Sequence, residues 1–188
     1  GDTGISAVLS EAHALRCLYL IDCSISDETF ARLAVEAPHL QDLGIAGCTA
    51  LSEQGLQAMQ RLPLQSLRID SCTRISNHAM SEFLQELGPK LTSLSIERCN
   101  GLGNACLHPL RDGARWGQLQ HFRLVGIKVS GIVLAWCSAE TTPRLRRLEI
   151  WREHWPRCFT DAKAKFRSQR PEVVLAFRRH GTLGWNNW

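Results

Sequence analysis

Four cysteines at near-constant spacing are the residues that could most readily do chemistry. They are Cys23, Cys48, Cys72 and Cys99. Regularly placed thiolates could hold a metal, but a free cysteine also behaves as a small apolar core residue with a weak S–H donor. The other four cysteines show no Cys-x-x-Cys spacing, by which zinc sites are usually recognised. We interpret the column as buried thiols near turn backbone and expect no metal and no cofactor.

A second candidate metal group lies near the C-terminus. His154 and Cys158 are four residues apart and Asp161 follows three residues later, so one helical face could carry all three. Pro156 lies between the first two and argues against a regular helix there. We therefore predict no metal at this place either.

Motifs of catalysis are absent from the sequence. It has no Gly-x-Ser-x-Gly elbow and no Walker-type loop. Gly101-Leu102-Gly103 lacks the third glycine and the lysine of phosphate-binding loops, so we interpret it as a turn. The sequence predicts a binding module and not an enzyme.

Length and composition fit one globular domain. The chain has 188 residues, of which 44% are hydrophobic and 21% charged. The apolar stretches are short, as at Gly131–Trp136, so we expect no membrane insertion. Eight cysteines do not make a disulfide scaffold in a chain of this length, and there is no Asn-x-Ser/Thr sequon. These features favour an intracellular protein, cytoplasmic or nuclear, with a mitochondrial location as the alternative.

The elements that position these residues repeat along the chain. A pattern of Leu-x-x-Leu-x-Leu/Ile-x-x-Cys occurs four times, and two weaker copies follow. The copies start at Leu15, Leu40, Leu64, Leu91, Leu119 and Leu145. The steps of 25, 24, 27, 28 and 26 residues lie in the range of leucine-rich repeats.

Each unit changes period in its middle. Leu67 and Ile69 alternate as in a half-buried strand, whereas the apolar residues after Cys72 recur every three or four positions, as in a helix. Ser26, Ser52 and Ser76 stand where they could cap the helices that follow. Residues 5–14 are interpreted as the tail of an earlier helix.

Stacked units of this kind predict an α/β fold. We expect a leucine-rich repeat solenoid of about six repeats, with parallel strands on the concave face and helices on the convex face. The domain is predicted over residues 1–177, with a C-terminal cap at 145–177 that ends in a strand at Glu172–Phe177. Residues 178–188 are predicted to form a tail.

The units resemble the cysteine-containing leucine-rich repeat family, typified by the repeat domains of F-box-type substrate receptors. The matching stretches after the cysteine are Ile25-Ser26-Asp27, Leu51-Ser52-Glu53, Ile75-Ser76-Asn77 and Leu102-Gly103-Asn104. The resemblance covers about residues 15–177. It implies the fold above, a structural place for the cysteines, and a protein-interaction or adaptor role, such as a ubiquitin-ligase subunit.

Charge is distributed unevenly along the repeats. Residues 1–90 carry a net charge of −5 and residues 91–188 a net charge of +9. The x positions of the strands should face the concavity, where arginine forks favour carboxylates. We predict partner-binding residues at Tyr19, Arg68, Arg98, His121, Arg123, Arg147, Trp151 and Arg152. The partner is expected to be a protein, with an acidic peptide or protein face as the first choice. The alternative is that the arginines of this chain form an ordinary solvated charged surface.

Other functions stay open at this point. The basic half could bind nucleic acid within a ribonucleoprotein, with added phosphate contacts from Lys163, Lys165, Arg167, Arg170, Arg178 and Arg179. A third possibility is an assembly factor resembling the mitochondrial ATP-synthase coupling factor. Trp151 is either an anchor for a partner or a cover for the open end of the stack. The chain is expected to act as a monomeric module or as part of a larger assembly.

Overall fold

Strands and helices alternate along the chain. A computed structural model describes residues 1–9, 13–151 and 158–178. The strands are β1 (Cys17–Ile21), β2 (Asp42–Ala46), β3 (Ser66–Asp70), β4 (Ser93–Glu97), β5 (His121–Val125), β6 (Arg147–Trp151) and β7 (Val174–Arg178). The helices are α1 (Asp2–Leu9), α2 (Asp27–Glu36), α3 (Glu53–Met59), α4 (Asn77–Leu87), α5 (His108–Arg111), α6 (Ile132–Trp136) and α7 (Cys158–Gln169), with 3₁₀ turns at Gly88–Lys90 and Asn104–Leu107.

The seven strands form one parallel sheet in sequence order. Each strand pairs with the next without a shift, so equivalent residues of successive units lie side by side. The predicted solenoid is therefore confirmed, and the closing strand expected at Glu172–Phe177 is β7. Among the described residues, no helix has the length and apolar character needed to cross a bilayer.

One continuous core lies between the sheet and the helices. Alternate strand residues point into it, as Leu43 and Ile45 do in β2, both fully buried. The helices of neighbouring units pack side by side, with α2 against α3 and α3 against α4. Trp116 is fully buried, and a Cβ at Gly88 would lie 2.4 Å from its ring. The convex layer thus closes tightly over the middle of the stack.

The cysteine column lies at the turns that follow the strands. Cys48, Cys72 and Cys99 are buried and Cys23 is half-buried. The thiol of Cys72 donates to the carbonyl of Asp70 at 3.4 Å, and that of Cys23 to the carbonyl of Ile21 at 3.3 Å. Burial raises the pKa of Cys72 to about 12, so this thiol is neutral at physiological pH. These contacts match the interpretation of the column as core thiols near turn backbone.

The helix caps follow the prediction in two of three cases. The hydroxyl of Ser52 accepts from the backbone N–H of Gln54, and that of Ser76 from the backbone N–H of Ala79. The prediction for Ser26 is wrong, because its side chain makes no cap hydrogen bond. Instead its backbone N–H donates to Asp2 Oδ1 at 2.8 Å. The first residue of one helix thus accepts a hydrogen bond from a backbone N–H in the turn of the next unit.

That contact recurs between later units. Asp27 Oδ1 accepts from the backbone N–H of Ser52 at 2.9 Å, and Asn77 Oδ1 from that of Gly103 at 2.9 Å. Asn104 Oδ1 accepts from the backbone N–H of Ser130 at 2.8 Å. We call these bonds the convex Asx ladder. It fastens successive units together on the helical side.

Candidate partner-binding face

The sheet face opposite the helices carries three columns of side chains. The strand register aligns Tyr19, Gly44, Arg68, Ser95, Arg123, Glu149 and Ala176 in a central column. A column before it runs from Cys17 to Val174, and a column after it runs from Ile21 to Trp151. The x positions of the strands therefore lie on the face opposite the helices, as the repeat pattern predicts.

Two carboxylates lie at the centre of this face. Asp70 and Glu97 are neighbours in adjacent strands, and both are fully buried. Arg68 Nη2 lies 3.1 Å from Glu97 Oε1 and 3.6 Å from Asp70 Oδ2. The hydroxyl of Ser95 donates to Glu97 Oε1 at 2.8 Å. Arg68 is 7% exposed, which leaves it little surface for a partner.

Further arginines reach these carboxylates from the C-terminal side. Arg98 pairs with Asp70, and its Nε donates to Ser71 Oγ at 3.3 Å. Arg123 lies between two acids, with Nε 3.4 Å from Glu97 Oε1 and Nη1 3.7 Å from Glu149 Oε2.

The last described arginine of the network is Arg147, which pairs with Glu149. The ring of Trp151 faces the Arg123 guanidinium, whose central carbon lies 4.8 Å from the ring centroid. Such a contact adds a cation–π attraction to the ion pairs. Charged and aromatic groups from four adjacent strands thus form one connected network.

The acids lie beneath the arginines. The side chains of Arg98, Arg123 and Arg147 are 35%, 25% and 51% exposed, whereas those of Asp70 and Glu97 are 0% exposed. We call Arg98, Arg123 and Arg147 the arginine cluster. A partner would meet guanidinium groups, although their charge is largely balanced from below. Sequence reasoning named the arginines and missed Asp70 and Glu97 as their counterions.

The N-terminal end of the face is apolar and aromatic. The ring of Tyr19 lies over Gly44, where a Cβ would be 2.3 Å from Tyr19 Cδ1. The hydroxyl of Tyr19 donates to Asp42 Oδ2 at 3.0 Å. Burial raises the pKa of the Tyr19 phenol, so it remains neutral. Tyr19 is 40% exposed and Ile21 is 49% exposed, which leaves two apolar side chains open to a ligand.

Short side chains line the face between its two ends. They are Gly44, Ala46, Ser66, Ser93 and Ser95. Ser66 and Ser93 are half-buried, so part of each residue remains exposed to solvent. The middle of the face therefore projects less than its two ends, which are apolar at β1 and cationic at β5 and β6.

The remaining predicted residues are placed as follows. His121 and Arg147 are exposed at the first positions of β5 and β6. Arg152 and His154 lie outside the described residues, as does the predicted tail from Arg179 onward. Arg178 ends β7 and Cys158 begins α7, but their side chains are likewise outside the description. In the described ranges, no group of three or more His, Cys, Asp and Glu side chains could hold a metal ion.

One proposed phosphate contact is contradicted by the structure. Arg170 is 4% exposed and therefore cannot serve as a surface cation. Its guanidinium donates to the backbone carbonyls of Cys137 and Thr142, at 3.2 and 3.1 Å, and it pairs with Glu172. Arg170 fastens the end of α7 to the preceding unit. Lys163, another proposed contact, lies 4.8 Å from the ring centroid of Phe177.

Comparison with known proteins supports the fold. No family model matches the chain. A chain in the crystal structure of the Rad7 and Elc1 complex in yeast is similar, with a TM-score of 0.62 and 19% identity over 82% of this chain. The match covers 40% of that chain. The C-terminal domain of tropomodulin from Caenorhabditis elegans aligns with a TM-score of 0.48 and 15% identity, over 68% of this chain and 82% of that one. At these identities, the likeness to the Rad7–Elc1 structure shows a shared fold and no more.

Proposed function

We propose that this protein is an interaction module that binds an acidic segment of a protein partner on its concave face. The arginine cluster carries this proposal. Its three guanidinium groups are partly exposed and are held by carboxylates beneath them. Arg98 directly follows β4, and Arg123 and Arg147 lie on the next two strands, β5 and β6. Ligand carboxylates would bind the remaining N–H groups.

Prior ordering of the arginines favours binding. A free arginine loses rotamer freedom when it binds a ligand, and that loss opposes association. Arg123 is already fixed by Glu97, Glu149 and the Trp151 ring. The planar guanidinium offers several N–H groups in a rigid fork, which suits bidentate contact with a carboxylate.

The sign of the exposed charge favours an acidic ligand. Arg68, Arg98, Arg123 and Arg147 together exceed Asp70, Glu97 and Glu149 by one positive charge. A cationic ligand would meet arginine side chains first, because both central acids are fully buried. An acidic ligand gains from the same arrangement.

Membership of a larger complex is the finer part of the proposal. Support comes from the similar fold in the Rad7–Elc1 structure, which is a complex of two proteins. A role as the recognition subunit of a ubiquitin ligase would fit the sequence resemblance to F-box-type receptors. In such a role, the arginine cluster would supply the recognition face.

A matched pair of variants tests the site. Arg98→Gln/Arg147→Gln removes two charges from the arginine cluster, whereas Arg144→Gln/Arg167→Gln removes two exposed charges elsewhere. Each protein, checked for folding by circular dichroism, would be immobilised and incubated with nuclease-treated lysate. Proteins retained by the wild type and by the second variant should be lost from the first. Equal retention by both variants would show that this face is not the binding site.

The nucleic-acid alternative gives a different result in the same experiment. Nuclease treatment would remove the retained proteins, and binding to the untreated sample would fall steeply with salt. The arginine-cluster variant would then show no special loss.

A further inference from the structure

We propose that the concave face recognises a two-part extended segment: an apolar side chain at Tyr19 and Ile21, and an acidic side chain about six residues away at Arg123 and Arg147. This inference rests on the proposed function of the same face and specifies its ligand. It follows from the different chemistry at the two ends of the face and from the distance between them.

The apolar end has surface to bury. Ile21 is 49% exposed, although the next residue in its column, Ala46, is only 5% exposed. The Tyr19 ring is fixed over Gly44 and by its hydrogen bond to Asp42. A ligand side chain lying against Ile21 and the Tyr19 ring would remove apolar area from water at little entropic cost to the protein.

The charges fix which end receives the acid. Asp42, half-buried, and Asp22, exposed, lie at the apolar end and would repel a carboxylate. The arginine cluster lies at the other end. The opposite charges at the two ends have little effect on where an apolar side chain binds, whereas they determine where an acidic one binds. A ligand with both groups therefore has one favourable placement.

The spacing follows from sheet geometry. Tyr19 lies on β1 and Arg123 on β5 of a sheet in strict sequence order. Neighbouring strands are about 4.8 Å apart, so four steps span roughly 19 Å. An extended chain advances about 3.3 Å per residue, so about six residues bridge the two ends.

The middle of the face allows an extended chain to pass. Its short side chains, led by Gly44, Ala46 and Ser66, present little bulk to a peptide crossing the strands. Arg68 does not stand in the way, because its guanidinium lies against Glu97 and Asp70 and it is 7% exposed. Ser66 and Ser93 are half-buried, and their hydroxyls would be hydrogen-bonding partners for the peptide backbone.

Synthetic peptides test the spacing between the two ligand groups directly. Fluorescein-labelled peptides would carry one leucine and one Glu-Glu pair, separated by two to ten Gly/Ser residues, in both chain directions. Fluorescence anisotropy against the whole protein should show tightest binding near a separation of six residues in at least one direction. Affinity that does not depend on the separation would overturn the inference, as would no binding by any peptide at about 1 mM.

A matched pair of isoleucine variants separates the two ends. Ile21 and Ile132 are 49% and 52% exposed, but Ile132 lies on α6 on the convex side. Ile21→Ser should weaken the best peptide about fivefold, from the lost apolar burial, and Ile132→Ser should leave it unchanged. Peptides without leucine should not respond to Ile21→Ser. If Ile21→Ser weakens the peptides without leucine, or leaves the best peptide unchanged, the apolar end is not part of the site.

The two proposals fail in different ways. If partner retention depends on Arg98 and Arg147 but not on Ile21, the proposed function stands and the two-part ligand is overturned. Loss of dependence on the arginines would overturn the proposed function itself.

Discussion

The guanidinium of Arg123 lies 4.8 Å from the ring centroid of Trp151 while its Nε lies 3.4 Å from Glu97 Oε1, so one side chain joins an aromatic ring to a buried acid. Trp151 is one column away from Arg123 and one strand further along the sheet. Arg123 is thereby fixed from several sides. We interpret Trp151 as a residue that positions the arginine cluster, in addition to any contact of its own with a ligand.

Replacing the Trp151 ring tests this interpretation. Trp151→Leu should loosen Arg123 and weaken binding of an acidic peptide about three- to tenfold, the size of a partly exposed cation–π contact. Trp151→Phe keeps an aromatic face and should keep most of the affinity. Fluorescence anisotropy measures both. Equal affinity of the leucine variant and the wild type would show that the ring does not position Arg123.

The buried Glu97 should matter for stability as well as for binding. Glu97→Gln removes the charge that faces Arg68 and Arg123 and should lower the free energy of unfolding by about 3 kcal/mol. Glu82→Gln is the control, since Glu82 is exposed and its pairing with His78 contributes about 0–1 kcal/mol. Urea denaturation compares the two. A loss for Glu97→Gln no larger than for the control would contradict the role given to the buried acid.

The residue after β1 has a backbone conformation that favours glycine. Asp22 has φ 49°, and Gly47 has φ 63° at the same place in the next unit. Asp22→Gly should therefore be about 1 kcal/mol more stable than Asp22→Ala, since both lose the carboxylate and only alanine keeps the strain.

An exposed helical position provides the control for this comparison. Gln57 lies within α3, where Gln57→Gly should be about 1 kcal/mol less stable than Gln57→Ala. Chemical denaturation of all four variants should show opposite signs at the two positions. The same sign at both would mean that the backbone at Asp22 is not strained.

The convex Asx ladder lacks one bond, and a single substitution should supply it. Glu53 begins α3 as Asp27 begins α2, but among the described contacts it makes no hydrogen bond to the turn of the next unit. Glu53→Asp shortens the side chain to that of Asp27 while keeping the charge at the helix start. It should raise Tm by about 2 °C. In contrast, Asn77→Ala should lower the free energy of unfolding by about 1 kcal/mol, and with it Tm. Differential scanning calorimetry measures both, and a lower Tm for Glu53→Asp would refute the expected bond.

Much of the fold could be predicted because its rules are local and periodic. Strand residues alternate, and the unit length is nearly constant, so Leu67 and Ile69 point inward while Arg68 points to the concave face. Unshifted strand pairing then places Arg68 beside Ser95 without further information.

The details that sequence reasoning missed depend on contacts between units. Asp70 and Glu97 are charged residues at open strand positions, where exposure is the usual expectation. They are buried because arginines from neighbouring strands cover them, which no spacing within one unit reveals. Ser26 was expected to cap α2, but its place in the turn is set by Asp2, 24 residues earlier.

Binding of a partner's carboxylates by the arginine cluster is tested most directly by NMR of the arginine Nε–H groups during titration with hexaglutamate. Signals from Arg98, Arg123 and Arg147 should shift together and saturate, while those of Arg32 and Arg167 should stay in place. Arg32 pairs with Glu36 on α2, and Arg167 lies on α7, so neither belongs to the face. Shifts spread evenly over all exposed arginines, or no shift within the cluster, would contradict the claim.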